Sequence, residues 1–261
     1  MLRYLKPVIT FLPYAIGCYF SWIRKYANNP EKAPIEVRYN KVSTLIKHLN
    51  KGMNVDLEVV GKENIPEGIN YFVSNHIGGY DPLLIIREAN KPTSVVAKIE
   101  AKSYPFVGKL IKSIDGVFID RGDLKQSLKE MIQVRYELEE EIKSWLIFPE
   151  GTRNRDDKRI LRPFHAGSLK PATKAGVPIV PVVVYGTQRV TRFKPTYRRY
   201  PVYLEFCEPI YPDEYNEMNT QELADKVREI IQRKLTYKVR QLDHEKMSKL
   251  RSRKYRFYKI K

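Results

Sequence analysis

The stretch Ile69-Asn70-Tyr71-Phe72-Val73-Ser74-Asn75-His76-Ile77-Gly78-Gly79-Tyr80-Asp81-Pro82 decides how this chain is read. The apolar run from Ile69 to Val73 is strand-like and stops abruptly at Asn75-His76. Beyond Pro82, the run Leu83 to Ala89 reads as a helix, so strand, polar turn and helix follow in order. Asp81 lies five residues after His76, across Gly78 and Gly79. The chain has four histidines, and the residues five positions after His48, His165 and His244 are Met53, Lys170 and Lys249. Only His76 has a carboxylate there. An imidazole that works as a base near neutral pH needs its second ring nitrogen held by an acceptor, and Asp81 is the nearest candidate. Asp81 before Pro82 also reads as a helix N-cap followed by a first-turn proline. Both roles are expected together, one carboxylate oxygen capping the helix and the other facing His76. The two glycines are either room for a ligand or a requirement of the turn.

Moving outward, Val55–Val60, Thr93–Lys98, Val117–Ile119, Ser144–Phe148, Ile179–Tyr185 and Val202–Phe206 join Ile69–Ser74 as strand candidates. Leu124, Leu128, Met131, Leu138 and Ile142 mark the expected inner face of a long helix between two of them. Leu223, Val227, Ile230, Ile231 and Leu235 mark a last amphipathic helix. Strands alternating with helices predict an α/β fold: a mostly parallel central sheet of about seven strands flanked by helices. An N-terminal helical hairpin precedes it, with Tyr39, Val42, Leu45, Ile46 and Leu49 recurring at helical spacing in its second arm.

Residues Pro7 to Ile23 carry no charge and are flanked by Arg3, Lys6, Arg24 and Lys25. A helix of that length reaches roughly 25 Å, short of a hydrocarbon core of about 30 Å. Pro13 is expected to kink it. Phe11, Tyr14, Tyr19, Phe20 and Trp22 suit the membrane–water boundary, so an interfacial or re-entrant anchor is expected rather than a span. A rival reading is an exported lipoprotein cleaved before Cys18 in Ala15-Ile16-Gly17-Cys18. The residues after Cys18 are aromatic and apolar where such a protein carries a polar tether, so the anchor reading is kept.

The 261 residues carry a formal charge of +17, which implies anionic partners: a phospholipid leaflet, nucleic acid, or an acidic protein or substrate. Lys246 to Lys261 holds eight basic residues and no acid, interleaved with Tyr255, Phe257 and Tyr258. Such a tail suits lipid or nucleic acid alike. A nucleic-acid module, however, leaves His76 and Asp81 unexplained. Mean hydropathy is negative, which excludes a multi-spanning membrane protein. Cys18 and Cys207 are far apart and fit a reducing compartment, and no metal-ligand spacing occurs.

Ligands of open parallel sheets bind beyond the carboxyl ends of the strands. Asn75-His76, Lys98, Asp120-Arg121 and the run from Pro149 to Arg153 all fall on that edge in the strand assignment. One base with several cations describes a site for an anionic substrate that must lose a proton. At this point four blocks resemble the glycerolipid acyltransferase family. They are His76 to Asp81 as Asn-His-x-x-x-x-Asp, Gly116 to Arg121, Phe148-Pro149-Glu150-Gly151-Thr152-Arg153, and Val177 to Val182. The resemblance covers about residues 55 to 210.

The resemblance implies transfer of an acyl group from a thioester to a glycerolipid hydroxyl, the sn-2 hydroxyl of 1-acyl-glycerol 3-phosphate being the expected acceptor and phosphatidic acid the product, with glycerol 3-phosphate or another lysophospholipid as the alternative acceptor. His76 and Asp81 are then the catalytic pair. Arg153 is expected at the acceptor phosphate, Glu150 orienting the acceptor or the loop, and Gly151 and Thr152 where backbone approaches the ligand. Lys98 is expected at the phosphate or the oxyanion, Arg121 either at the substrate or paired with Asp120, and Asn75 among the substrate-binding residues. Cys207 ends a strand candidate with no base nearby in sequence and Cys18 lies in the membrane segment, which favours direct transfer over an acyl-enzyme. No cofactor or metal is expected beyond the co-substrate, an acyl thioester of acyl carrier protein or coenzyme A. The expected partners are the phospholipid bilayer, lysophosphatidic acid and the thioester carrier, with no nucleic acid. The expected place is the cell membrane, peripheral or monotopic, with the site on the cytoplasmic side. Residues 1–53 form the membrane-associating segment in this reading, 54–242 the catalytic domain and 243–261 the basic tail.

Overall fold

A computed structural model describes residues 11–155, 160–190 and 199–241, the last four of these without side chains. Arg3, Lys6, the cations Arg192, Lys194 and Arg198, and the basic tail lie outside the described residues.

Seven strands form one sheet in the order β1-β7-β6-β2-β5-β3-β4. They are β1 (Val55–Val60), β2 (Tyr71–Ser74), β3 (Thr93–Lys98), β4 (Val117–Ile119), β5 (Ser144–Ile147), β6 (Ile179–Tyr185) and β7 (Tyr200–Phe206). Five of the six ladders are parallel, and the β6–β7 ladder is antiparallel, so β1 and β7 run against the other five. The sheet is the one expected, with that reversal added. β2 sits centrally between β6 and β5, and all four of its residues are buried. That is why its sequence reads as an unbroken run with no alternation: both faces are covered by helices.

The N-terminal hairpin consists of α1, described over residues 11–28, and α2, Ile35–Gly52. Residue 13 is helical, and the irregular turn in the described part is a π-turn at Tyr19–Ile23. Trp22, Ile23 and Tyr26 of α1, with Tyr39, Val42, Leu45 and Ile46 of α2, join the same buried cluster as Phe72, Val73 and Ile85. Polar ties add to the packing. Arg38 grips Asp115 through two bonds of 2.7 Å, and the Tyr39 hydroxyl donates to the Ile86 carbonyl at 2.9 Å. At the far end of α2, the Tyr80 hydroxyl donates to Asn50 Oδ1 at 2.6 Å, reaching the turn that carries Asp81.

Three further helices complete the surroundings of the site: α3 (Asp81–Glu88), α4 (Pro105–Lys112) and α5 (Leu124–Glu139). The inner face of α5 differs from the expected one. Val134 and Leu138 are buried and Met131 half-buried, whereas Leu124 is 82 % exposed and Leu128 is also exposed. Leu124 and Leu128 continue into exposed Ile132 and Tyr136 as one outer row, while Val134 and Leu138 join the buried cluster, so a different row of the helix faces the core. The final helix, Thr220–Gln241, buries Leu223, Val227, Ile231 and Leu235 as its spacing predicts.

Candidate active site

The main chain of β2 turns away from the sheet at Asn75, and a side chain takes over its pairing. Asn75 Nδ2 donates to the Val184 carbonyl at 2.9 Å, and the Val184 N–H donates back to Asn75 Oδ1 at 2.9 Å. The amide thus imitates one more residue of ladder with β6, which lets His76 leave the strand without orphaning a buried backbone group. Asn75 is fully buried with both amide functions spent. Its expected place beside substrate is therefore corrected to a structural one.

His76 Nδ1 lies 2.7 Å from Asp81 Oδ2. The same oxygen accepts the N–H of Ile77 at 2.7 Å and of Gly78 at 2.9 Å. An oxygen that takes two backbone donors accepts from the ring as well, so the ring hydrogen sits on Nδ1 and the lone pair on Nε2. The ring leans on Phe148, with centroids 4.3 Å apart. Its side chain is 17 % exposed, while that of Asp81 is fully buried. The expected double duty of Asp81 is corrected here. Tyr80 is the N-cap of α3 and Asp81 is its first residue. The carboxylate points back to the preceding turn, Oδ2 to His76 and two backbone N–H groups, and Oδ1 to the Thr187 hydroxyl. A first-turn position leaves the side chain facing the incoming loop, where unpaired donors already converge.

Glu150 is a second buried carboxylate, and it holds backbone. Its Oε1 accepts the His76 N–H at 3.0 Å, and its Oε2 accepts from Asn154 Nδ2 at 3.0 Å and from the Arg162 N–H at 3.1 Å. Asn154 closes the exchange by donating its N–H to the His76 carbonyl at 2.6 Å. Of the two expected roles of Glu150, the structure assigns the loop.

The cations border the two loops. Gly151 has φ +70°, a conformation that favours glycine, and a Cβ built there would lie 2.8 Å from the Arg121 guanidinium. A Cβ on Gly79 would lie 3.3 Å from Arg153 Nη2. Arg121 therefore covers the loop that holds Glu150, and Arg153 covers the turn between His76 and Asp81. Thr152 and Arg153 are exposed. Asp120 accepts the Gly122 N–H at 2.9 Å through Oδ1, leaving Arg121 in the field of Glu100. Lys98 is ion-paired with Glu100, whose carboxyl its hydrogen bond holds below the usual range. Gly78 has a plain packing reason: a Cβ there would meet Thr187 Oγ1 at 2.9 Å and the Gln188 nitrogen at 3.0 Å. His165 is exposed and donates its N–H to the Pro149 carbonyl at 3.1 Å.

Thr187 and Asn154 are site residues that the blocks do not contain. Asn154 follows the third block directly, and Thr187 stands five residues beyond the fourth, after β6. Both cysteines are buried and unpaired. Burial, with Glu205 adding to it, pushes the Cys207 thiol up to about 12. No cluster of three His, Cys, Asp or Glu side chains fit for a metal occurs among the described residues.

A buried carboxylate thus orients a reachable imidazole at the carboxyl edge of a mostly parallel sheet. The chain belongs to the acyltransferase family, whose model matches residues 56–185. It is similar to a probable 1-acyl-sn-glycerol-3-phosphate acyltransferase of Mycoplasma pneumoniae, at 32% identity over 223 residues, 80% of this chain and 82% of that protein. The 1-acyl-sn-glycerol-3-phosphate acyltransferase of Escherichia coli is 30% identical over 164 residues, 63% of this chain and 66% of that protein. Among solved structures, the 1-acyl-sn-glycerophosphate (LPA) acyltransferase PlsC of Thermotoga maritima superposes with a TM-score of 0.68 at 25% identity, covering 89% of this chain and 96% of that one.

Proposed function

We propose that this acyltransferase moves a fatty acyl group from a thioester to the sn-2 hydroxyl of 1-acyl-glycerol 3-phosphate, giving phosphatidic acid for phospholipid synthesis. The observation that carries the reading is the 2.7 Å contact of His76 Nδ1 with Asp81, on a ring still reachable, with Arg153 lying over the Gly79 turn between them. In the step, His76 Nε2 takes the proton of the acceptor hydroxyl as its oxygen attacks the thioester carbon. The C–O bond forms, the C–S bond breaks, and the proton passes from the imidazolium to the departing thiol. Asp81 keeps Nδ1–H in place and faces the positive ring while it exists. The buried, poorly acidic Cys207 offers no nucleophile, which supports direct transfer without an acyl-enzyme. Arg153 over the Gly79 turn and Arg121 over the Gly151 loop supply the planar donors that suit the acceptor phosphate.

The thioester carrier is acyl carrier protein or coenzyme A, and the enzyme works at the cytoplasmic face of the membrane as a peripheral or monotopic protein. No described helix is long and apolar enough to cross a membrane. Leu12, Ile16 and Phe20 of α1 are exposed at a spacing of four, one apolar stripe on the hairpin. Nearby cations add about 1 kcal/mol each against anionic lipid.

The test is an acyl-transfer assay with 1-acyl-glycerol 3-phosphate, glycerol 3-phosphate and other lysophospholipids, each with both thioesters, beside His76→Ala. General base catalysis contributes roughly two to four powers of ten, and a loss of that size is expected. Near-native turnover of His76→Ala refutes the mechanism, and preference for another acceptor refutes the substrate.

A further inference from the structure

We propose that Thr187 is a positioning residue for acyl transfer: its hydroxyl fixes the Asp81 carboxylate, and through it the His76 ring. The inference rests on His76 being the base. Three donors crowd one carboxylate oxygen, Oδ2: His76 Nδ1, the Ile77 N–H and the Gly78 N–H. Two lone-pair directions serve an sp² oxygen well, and the last torsion of an aspartate is soft. Left to itself, the group turns to offer Oδ1 to one of those backbone donors. That rotation draws Oδ2 off the line to Nδ1 and swings the ring. The Thr187 hydroxyl, fully buried, donates to Oδ1 and holds it on the opposite side.

The placement of Thr187 is set from two directions. The Asn75 amide locks the end of β2 to Val184, three residues before Thr187, so the turn that carries Asp81 and the end of β6 keep one register. Gly186, at φ +96°, then bends the chain where a Cβ would lie 2.3 Å from the Pro201 carbonyl oxygen. The bend brings Thr187 and Gln188 against Gly78, at a distance that no larger residue at 78 tolerates. The chain leaving β6, five residues past the fourth block, thereby delivers a hydroxyl to the site from a strand neighbouring β2.

The experiment compares Thr187→Val, close in shape but without a donor, with Thr187→Ser, which keeps it. Both are measured with His76→Ala alongside, and melting temperatures check folding. Misplacing a reacting group by about 1 Å costs up to about 100-fold. The Val variant is expected to lose about 10- to 100-fold in kcat, with KM for both substrates within about twofold, and the Ser variant to stay within about threefold of wild type. Thr187→Ala, which adds no atoms, takes the place of Val if that variant does not fold. A hydroxyl-free variant that keeps kcat within about twofold while His76→Ala is inactive overturns the role of Thr187 alone. So does an equal fall in the Ser and Val variants, or a loss confined to KM. Activity surviving in His76→Ala instead removes the underlying base reading, whatever Thr187 does.

Discussion

Two buried carboxylates stand on the two loops of the site, and they do different work. Asp81 reaches the imidazole itself, through Oδ2 at 2.7 Å from Nδ1. Glu150 reaches the same residue only through its backbone, accepting the His76 N–H at 3.0 Å. Both belong to family blocks, both are acidic, and both are buried, at 0% and 3% exposure. The difference is where their donors come from. Asp81 gathers side chains and the turn around the ring, whereas Glu150 gathers backbone and Asn154 from its own loop. An acidic residue in a family block thus either orients an imidazole or holds the loop that carries it.

The comparison is broken most directly at Asp81. Asp81→Ala should lower kcat by about two to three powers of ten with little change in acceptor KM, because the ring loses its tautomer and its aim. A loss of tenfold or less, with folding intact, would make Asp81 equivalent to Glu150. Arg153 tests the rim of the same turn. Arg153→Ala should raise acceptor KM about tenfold, as expected for one charge-assisted hydrogen bond to phosphate, and leave kcat within a few-fold. Unchanged dependence on acceptor concentration reassigns it.

Glu150→Gln sharpens the contrast from the other side. The amide still accepts the His76 N–H through its oxygen, but its NH₂ then faces the Asn154 amide and the Arg162 N–H, two donors. Clashing buried donors cost about 1–3 kcal/mol, so the melting temperature should fall by several degrees. Turnover should fall only about fivefold, since the ring keeps Asp81. A large kcat loss with unchanged melting would show Glu150 acting on the chemistry. Farthest from both carboxylates, Phe20→Glu on α1 should cut retention on anionic vesicles about threefold and leave transfer to detergent-dispersed acceptor unchanged. Equal retention removes the stripe from the docking surface.

Much of the site was legible because its residue types are rare and their spacing is local. His76 was singled out by its carboxylate partner among four histidines, and the strand ends gathered Arg121 and Arg153 on one edge. What escaped was decided across the fold. Asn75 and Thr187 are more than 100 residues apart in sequence, yet the β2–β6 ladder makes one the lock of a strand and the other a partner of Asp81. The inner face of α5 was misplaced for a related reason. The spacing of Leu124 and Leu128 fits a buried face, but the helix carries a second apolar row in Val134 and Leu138, and only packing chooses which one is covered.

The sequence by itself determined the strand–turn–helix unit and the pairing of His76 with Asp81, because these depend on neighbours a few residues apart. The alternation of strands with helices also pointed to a mostly parallel sheet covered on both faces. The tertiary structure alone decided which oxygen of Asp81 does what, and that the carboxylate turns back to its loop instead of capping α3. Sequence names the groups that can hydrogen-bond. Burial removes water from the competition, and then geometry between distant strands chooses the partners.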